Sequence, residues 1–205
     1  MADNWYHGDG LIANLLMREL LGDDYYNLPP RTPLPVAHYL RLPLRFSHLI
    51  YHSSVAIPDS DIQRVTRIYK RFEENDPVLR TKSKINRGGG YFRDSMIQIP
   101  YSVSNTMTFY MNGDIDEIRR IFEGLTAIGK KIALGGGLIR SKEYRELETD
   151  WSLVRDGIAM REIPVEMCRS YDSRYVMRRA VIFPYWSIEN VRQTVVPGGR
   201  AELLF

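Results

Sequence analysis

The residues best suited to chemistry in this chain are glycines and cations set close together. Gly129-Lys130-Lys131 is followed, after three residues, by Gly135-Gly136-Gly137. Ammonium groups beside a backbone that lacks Cβ atoms suit a phosphodiester, because lysines and N–H groups can converge on its oxygens. A tight helix-to-strand connection is the other use of such a loop. The pattern is not a nucleotide-binding one: Lys130 precedes Lys131 rather than Ser or Thr, and the expected helix comes before the loop. A second group, Arg87-Gly88-Gly89-Gly90-Tyr91-Phe92-Arg93, mixes cations, free backbone and aromatic faces, as single-stranded nucleic-acid sites do. Between Arg64 and Arg93 nine cations stand against three carboxylates, Glu73, Glu74 and Asp76. That stretch is +6 in a chain of net charge +3, leaving −3 for the remainder. Such a local field attracts polyanions; the plainer use of a basic run is a solvated face.

Acid–base chemistry has weaker support. His7, His38, His48 and His52 all fall in the first quarter. A metal-free ribonuclease would use one as general base on a 2′-hydroxyl, with Lys or Tyr stabilising the developing charge. The spacing of His48 and His52 puts both on one side of a continuous strand. In an apolar, strand-rich stretch, however, a hydrogen-bonded structural role is the ordinary one, so no catalytic residue is assigned. No Ser-His-Asp or Cys-His spacing stands out. Cys168 is the one cysteine; it has no partner for a disulfide or a zinc site, and no metal or cofactor is expected. Asp59, Asp61, Asp114, Asp116 and Glu117 fall at expected helix starts, where capping accounts for them.

The elements that must position these groups follow from patterning. Gly10 to Leu21 predicts a helix with Asp9 as N-cap. Four prolines between Asn27 and Pro35 predict a loop. Leu42 to Ile57 reads as one or two strands. Pro58 to Asp61 reads as a turn before a short helix, Ile62 to Phe72, with Ile62, Val65, Ile68 and Tyr69 on one face. Met96 to Met111 is strand-like. Asp114 caps an amphipathic helix over 114–129 that buries Ile115, Ile118, Ile121, Phe122 and Leu125. Leu138 to Glu148 predicts a strand, and the C-terminal third reads as irregular, with Trp151 an anchor for the returning chain. Tyr185-Trp186 suits either core packing or base stacking. The order gives an α+β fold with a sheet covered on one face rather than a doubly wound sheet. The 205 residues are 44% apolar and 26% charged, enough for a globular core. No apolar run nears the ~18 residues of a membrane span. The opening MADNWYHGDG has no basic or apolar leader region, so no secretory signal is expected and the cytoplasm is the expected location.

The segment helix–Gly129-Lys130-Lys131–Gly135-Gly136-Gly137–strand, with Glu148 to Val154, Gly157 and Met160 to Pro164 after it, resembles the C-terminal half of RAMP-superfamily CRISPR subunits. More narrowly, it resembles the type IV subunit that caps the 5′ handle of the guide RNA. Asp9 to Asn14, Leu42-Pro43-Leu44, Tyr51 to Val55, Arg87 to Gly90 and Pro184 to Trp186 agree in order. The resemblance implies one ferredoxin-like (RRM-like) RAMP domain over 1–205, with 150–205 an extension packed on it. It implies a non-catalytic RNA-binding subunit of an antiviral ribonucleoprotein. Lys130, Lys131, Gly135, Gly136 and Gly137 would contact phosphate, Arg80, Lys82, Lys84 and Arg87 would extend the track, and Tyr91 would stack on a base. Its implied partners are the guide RNA, a spacer-coating backbone subunit, a large subunit and a separate processing nuclease. Family members usually begin with a strand before the first helix; here either MADNWYHG supplies a short strand, another segment fills the sheet, or the chain is trimmed. The loop reads IALGGG where related loops often carry an aromatic, which points to phosphate contact rather than stacking there. Two other readings stand beside this one: a RAMP endoribonuclease using His48 or His52, and a protein-interaction scaffold whose basic face serves solubility.

Overall fold

The computed structural model describes residues 5–27, 40–60, 62–70, 93, 95–129, 132 and 135–205. The chain forms two units, 1–57 with 108–205, and 58–107.

In the first unit, α1 (Gly8–Leu21) starts one residue after an extended His7, which is the N-cap. Asp9 is therefore not the cap. It lies inside the first turn, fully buried, for a reason described below. The residues before α1 run beside 54–56: Gly8 N–H reaches the Ser54 carbonyl (3.2 Å) and Ala56 N–H the Tyr6 carbonyl (2.7 Å). Ahead of the first helix this contact amounts to one isolated antiparallel bridge, His7 to Val55. Leu42 to Ile57 breaks into β1 (Phe46–Ser47) and β2 (Ile50–Tyr51), joined by a turn at His48 and Leu49 with φ of 49° and 75°. His48 and His52 consequently do not share one strand face. Beyond β2, residues 52–56 run extended, with Ser54 N–H bonded to the Tyr110 carbonyl and Val55 N–H to that of Met160.

The chain leaves this unit through β3 (Ile57–Pro58) and returns through β6 (Met107–Thr108). Between them the second unit holds β4 (Ile62–Lys70) and β5 (Ser95–Val103), antiparallel over nine residue pairs from Ile62–Val103 to Lys70–Ser95. The helix expected from Ile62 is a strand. Ile62, Val65, Thr66, Ile68 and Tyr69 are stiff or aromatic residues that fit a pleated surface better than a helix, and a distant partner strand decides the matter. Asp59 does not start a helix either, and Asp61 lies outside the described residues. The Asp59 carboxylate accepts from Ser104 Oγ (2.6 Å), Asn105 N–H (3.1 Å) and Thr106 Oγ1 (3.0 Å), which hold its pKa down to about 2.

Back in the first unit, α2 (Ile115–Glu123) starts as expected, with Asp114 Oδ1 accepting from Asp116 and Glu117 N–H, each at 3.1 Å. Its buried Ile118, Ile121 and Phe122 pack with Ile12 and Leu15 of α1 and with Leu44. The helix ends at Gly124 rather than running to 129. Lys142 Nζ donates to the Phe122 and Glu123 carbonyls (2.6 and 3.1 Å), satisfying two acceptors that a helix C-terminus leaves free. That tether, with Tyr144 packed on the same core, holds the following chain against α2. The strand expected from Leu138 to Glu148 is only an isolated bridge at Leu138.

The C-terminal third is regular rather than irregular. It holds β7 (Val154–Arg155), β8 (Ile158–Ala159), β9 (Ile163–Pro164), β10 (Cys168–Tyr171), β11 (Val176–Ala180), β12 (Val191–Val195) and β13 (Ala201–Leu203). β12 lies between β11 and β9, β10 pairs with β13 and β7 with β8, all antiparallel. Asp156-Gly157, at φ 53° and 75°, makes the two-residue turn between β7 and β8. Ile163, Val195, Ala159, Leu153, Val181 and Ile50 are central to the other core. Among the described residues, two α-helices and antiparallel strands in six small sheets are compatible with an α+β fold.

Candidate functional site

Of the residues singled out in the sequence, Lys130, Lys131, Arg80, Lys82, Lys84, Arg87 and Tyr91 lie outside the described residues. Gly135, Gly136 and Gly137 form an exposed turn. Its base is closed by Ile128 N–H on the Gly137 carbonyl (2.9 Å) and Ile139 N–H on that of Thr126 (3.0 Å). The glycines differ in use. A Cβ on Gly137 (φ 69°) would fall 1.7 Å from the Ile128 carbonyl oxygen, so this glycine serves the closure itself. Gly135 (φ 79°) has nothing within 4 Å of that position, although its N–H is already bonded to the Ile132 carbonyl (2.9 Å).

In the second unit, the β4–β5 ribbon presents side chains on both faces. Its register sets Arg64 opposite Tyr101 on one face, while Arg67 and Tyr69, two residues apart, share the other. Arg64 and Arg67 are exposed, and Tyr69, Tyr101, Ile97 and Met96 are 58%, 43%, 55% and 50% exposed. Neither strand contains a carboxylate. Each face therefore offers a cation and an aromatic ring within one field of positive charge. The sequence reading placed cations here but folded them onto a helix, where these pairings do not exist.

Two polar centres lie in the first unit. Arg161 is fully buried. Its guanidinium donates to the carbonyls of Tyr51, Ser53 (3.2 Å) and Val181 (2.6 Å), to the Tyr185 hydroxyl (3.3 Å) and to Asp9 Oδ2 (3.5 Å). The Tyr185 hydroxyl donates to Asp9 (2.7 Å to Oδ1), and its ring stacks on His7 at 4.0 Å, which in turn bonds Glu162 (2.7 Å). Burial, reinforced by the Asp9 charge, pushes the Tyr185 hydroxyl well above its ordinary pKa. Burial disfavours the Arg161 cation, but Asp9, Tyr185 and Glu162 together outweigh it and the guanidinium pKa rises. This network ties the start of α1 to residues 51–53 and 181–185. It takes Tyr185 for packing and leaves Trp186 52% exposed. The sequence carried one sign of it, a charged pair within Met160-Arg161-Glu162-Ile163.

The second centre is built on His52, which is 3% exposed. Its Nε2 lies 2.6 Å from Ser47 Oγ and its Nδ1 3.1 Å from Asp150 Oδ2. Asp150 also accepts from Asn112 Nδ2 (2.7 Å) and Ser152 N–H (2.8 Å). Burial pulls the Asp150 carboxyl up, but the bonds from Ser152, Asn112 and His52 outweigh it and set the pKa at about 2. An open groove of about 540 Å³, lined among others by Tyr110, Asn112, Asp150 and Trp151, adjoins it. Arg155 lies 4.5 Å over the Trp151 ring and donates to the Tyr110 hydroxyl (2.9 Å), so Trp151 is anchored as expected. No spacing in the sequence joins Ser47 and His52 to a residue a hundred positions on. His48 is elsewhere, stacked on Phe205 at 4.4 Å. Cys168 is buried, its thiol donating to the Pro164 carbonyl (3.7 Å).

Among the described residues, no group of three or more His, Cys, Asp or Glu could hold a metal ion, and no helix is long and apolar enough to cross a membrane. In comparisons with known proteins, no family model matches the chain and no curated protein matches it.

Proposed function

We propose that this protein is an RNA-binding subunit, non-catalytic toward its RNA, that caps the 5′ handle of the guide RNA in a type IV CRISPR complex of the cytoplasm. The observation that carries the reading is the β4–β5 ribbon: cations and exposed tyrosines on both faces, and no carboxylate in either strand. Cations fix phosphates and aromatic faces take bases, which is how single-stranded nucleic acid is held without sequence readout. The resemblance of the 128–164 region to RAMP subunits supplies the narrower identity, including a ferredoxin-like core. In that role the exposed glycine turn lies along the RNA backbone, with Lys130, Lys131, Arg80, Lys82, Lys84 and Arg87 on phosphate and Tyr91 on a base. The work is positioning: the handle is fixed, and protein surfaces recruit the backbone and large subunits.

The test is fluorescence anisotropy with labelled single-stranded RNA carrying the repeat-derived handle, compared with duplex DNA of the same sequence. The reading expects preference for the RNA and its loss in a Lys130→Glu, Lys131→Glu variant with an unchanged melting temperature. Equal weak binding to both probes, unaffected by the two substitutions, would return the basic stretch to a solvated face.

A further inference from the structure

Three side chains unused by RNA binding stand in the order nucleophile, base, orienting acid. Ser47 Oγ is 2.6 Å from His52 Nε2, and His52 Nδ1 is 3.1 Å from Asp150 Oδ2. With the Nδ1 proton directed at the carboxylate, Nε2 is left to accept the serine proton. The base is dry, at 3% exposure, while Ser47 keeps partial access to solvent. Asp150 is itself held by Asn112 and Ser152, so the acid is oriented before any substrate arrives.

The backbone around Ser47 adds two further features. Ser47 ends β1 at a turn whose next residues, His48 and Leu49, are both left-handed without being glycine. Such conformations are strained for residues that carry a side chain and collect where a fold is holding a functional shape. A two-residue turn bonds through the N–H of its fourth residue, here Ile50, and leaves the His48 and Leu49 N–H groups next to the serine. The N–H after a nucleophile is a common oxyanion donor. The neighbours are apolar and open: Phe46, Leu49 and Phe205 are 52%, 50% and 56% exposed, and Phe205 stacks on His48.

We propose that Ser47, His52 and Asp150 form a serine-nucleophile site that transfers the acyl group of a small apolar carboxylic ester to water. Ser47 Oγ bonds to the carbonyl carbon as its proton passes to His52 Nε2. The ester C–O bond then breaks, and the alcohol leaves with that proton. Water, losing a proton to His52, adds to the acyl-serine; the acid departs, and the proton returns to Ser47 Oγ. No oxidant, reductant or metal is required. Apolar side chains around the serine favour an alkyl or aryl ester over a charged one.

The experiment treats the full chain with a fluorophosphonate probe and follows hydrolysis of p-nitrophenyl butyrate. Adducts are mapped by mass spectrometry in the tryptic peptide Phe46 to Arg64. The site predicts an adduct on Ser47 and ester turnover, with both abolished by Ser47→Ala. Asp150→Asn should lower turnover by about a hundredfold or more, because it removes the acid that orients the base. Absence of a Ser47 adduct overturns the proposal, as does turnover unchanged in Ser47→Ala. The serine variant loses one hydroxyl only, so the test stands even if Asp150→Asn fails to fold. Neither result bears on RNA affinity, which is read separately.

Discussion

If the β4–β5 ribbon holds RNA through phosphates, its cations must set the salt dependence of binding. Arg64 and Arg67 point to opposite faces, each exposed, with Tyr101 and Tyr69 as the aromatic on the same face. Each phosphate neutralised on a single strand adds about 0.7 to the slope of log affinity against log salt. One ribbon face in contact therefore predicts that Arg64→Gln or Arg67→Gln, but not both, lowers the slope by about 0.7. Between ~50 and ~200 mM salt, that contact alone accounts for a loss of about 2.6-fold, or about sevenfold if both arginines engage. The tyrosine on the engaged face should then matter as well: its replacement by Ala costs ~1–3 kcal/mol of affinity, with little salt dependence. Exposed substitutions of this kind change stability by only about 0.5 kcal/mol, so folding does not confuse the reading. The assay is anisotropy titration of single-stranded RNA at four salt concentrations for wild type, both arginine variants, Tyr69→Ala and Tyr101→Ala. A slope unchanged in both arginine variants refutes phosphate contact by the ribbon. A tyrosine effect on the face opposite the responding arginine refutes the paired arrangement.

Other expectations follow from the buried centres and the glycine turn. Arg161→Leu leaves Asp9 charged and enclosed, and should cost about 3–5 kcal/mol in denaturant unfolding, with Asp9→Asn plus Arg161→Leu costing less than the sum of the two. Gly137→Ala drives a Cβ into the Ile128 carbonyl and should lower the melting temperature more than Gly135→Ala, which has a similar positive φ but nothing within 4 Å of the added Cβ; equal effects would contradict the closure described. The Asp150 carboxyl is depressed to about 2 from an ordinary value of 3.8. Its contribution is therefore complete above about pH 4 and lost as pH falls toward 2. With the side chain 34% exposed, that contribution is about 1 kcal/mol after screening. Wild type and Asp150→Asn should converge in stability across that window, and a constant gap would deny the carboxylate its bonds.

What the sequence disclosed was local. Asp114 followed by two acids and an apolar stripe marks the start of α2 without tertiary help, because capping and the helix period are short-range. The end of α2 was not legible, since Lys142 reaches it from the far side of the glycine turn. Ile62 to Lys70 carries apolar residues at a helical spacing, yet pairing with Ser95 to Val103 overrides that spacing. The C-terminal strands are mostly two to five residues long, too short for either period to declare itself, although Asp156-Gly157 was a hairpin signal. Asp9 looked like a cap because nothing local distinguishes a capping acid from one awaiting an arginine 152 positions away. The same holds for His52: its partners Ser47 and Asp150 meet only in the folded chain.

The central claim is that the chain binds a guide RNA by its 5′ handle. Co-expression with its genomic neighbours and a repeat–spacer array, followed by purification of this chain and sequencing of the RNA that accompanies it, tests that most directly. The account predicts a discrete RNA whose 5′ end is repeat-derived, lost when Lys130 and Lys131 become Glu. Purification without RNA, or with RNA of random ends that survives those substitutions, would contradict it.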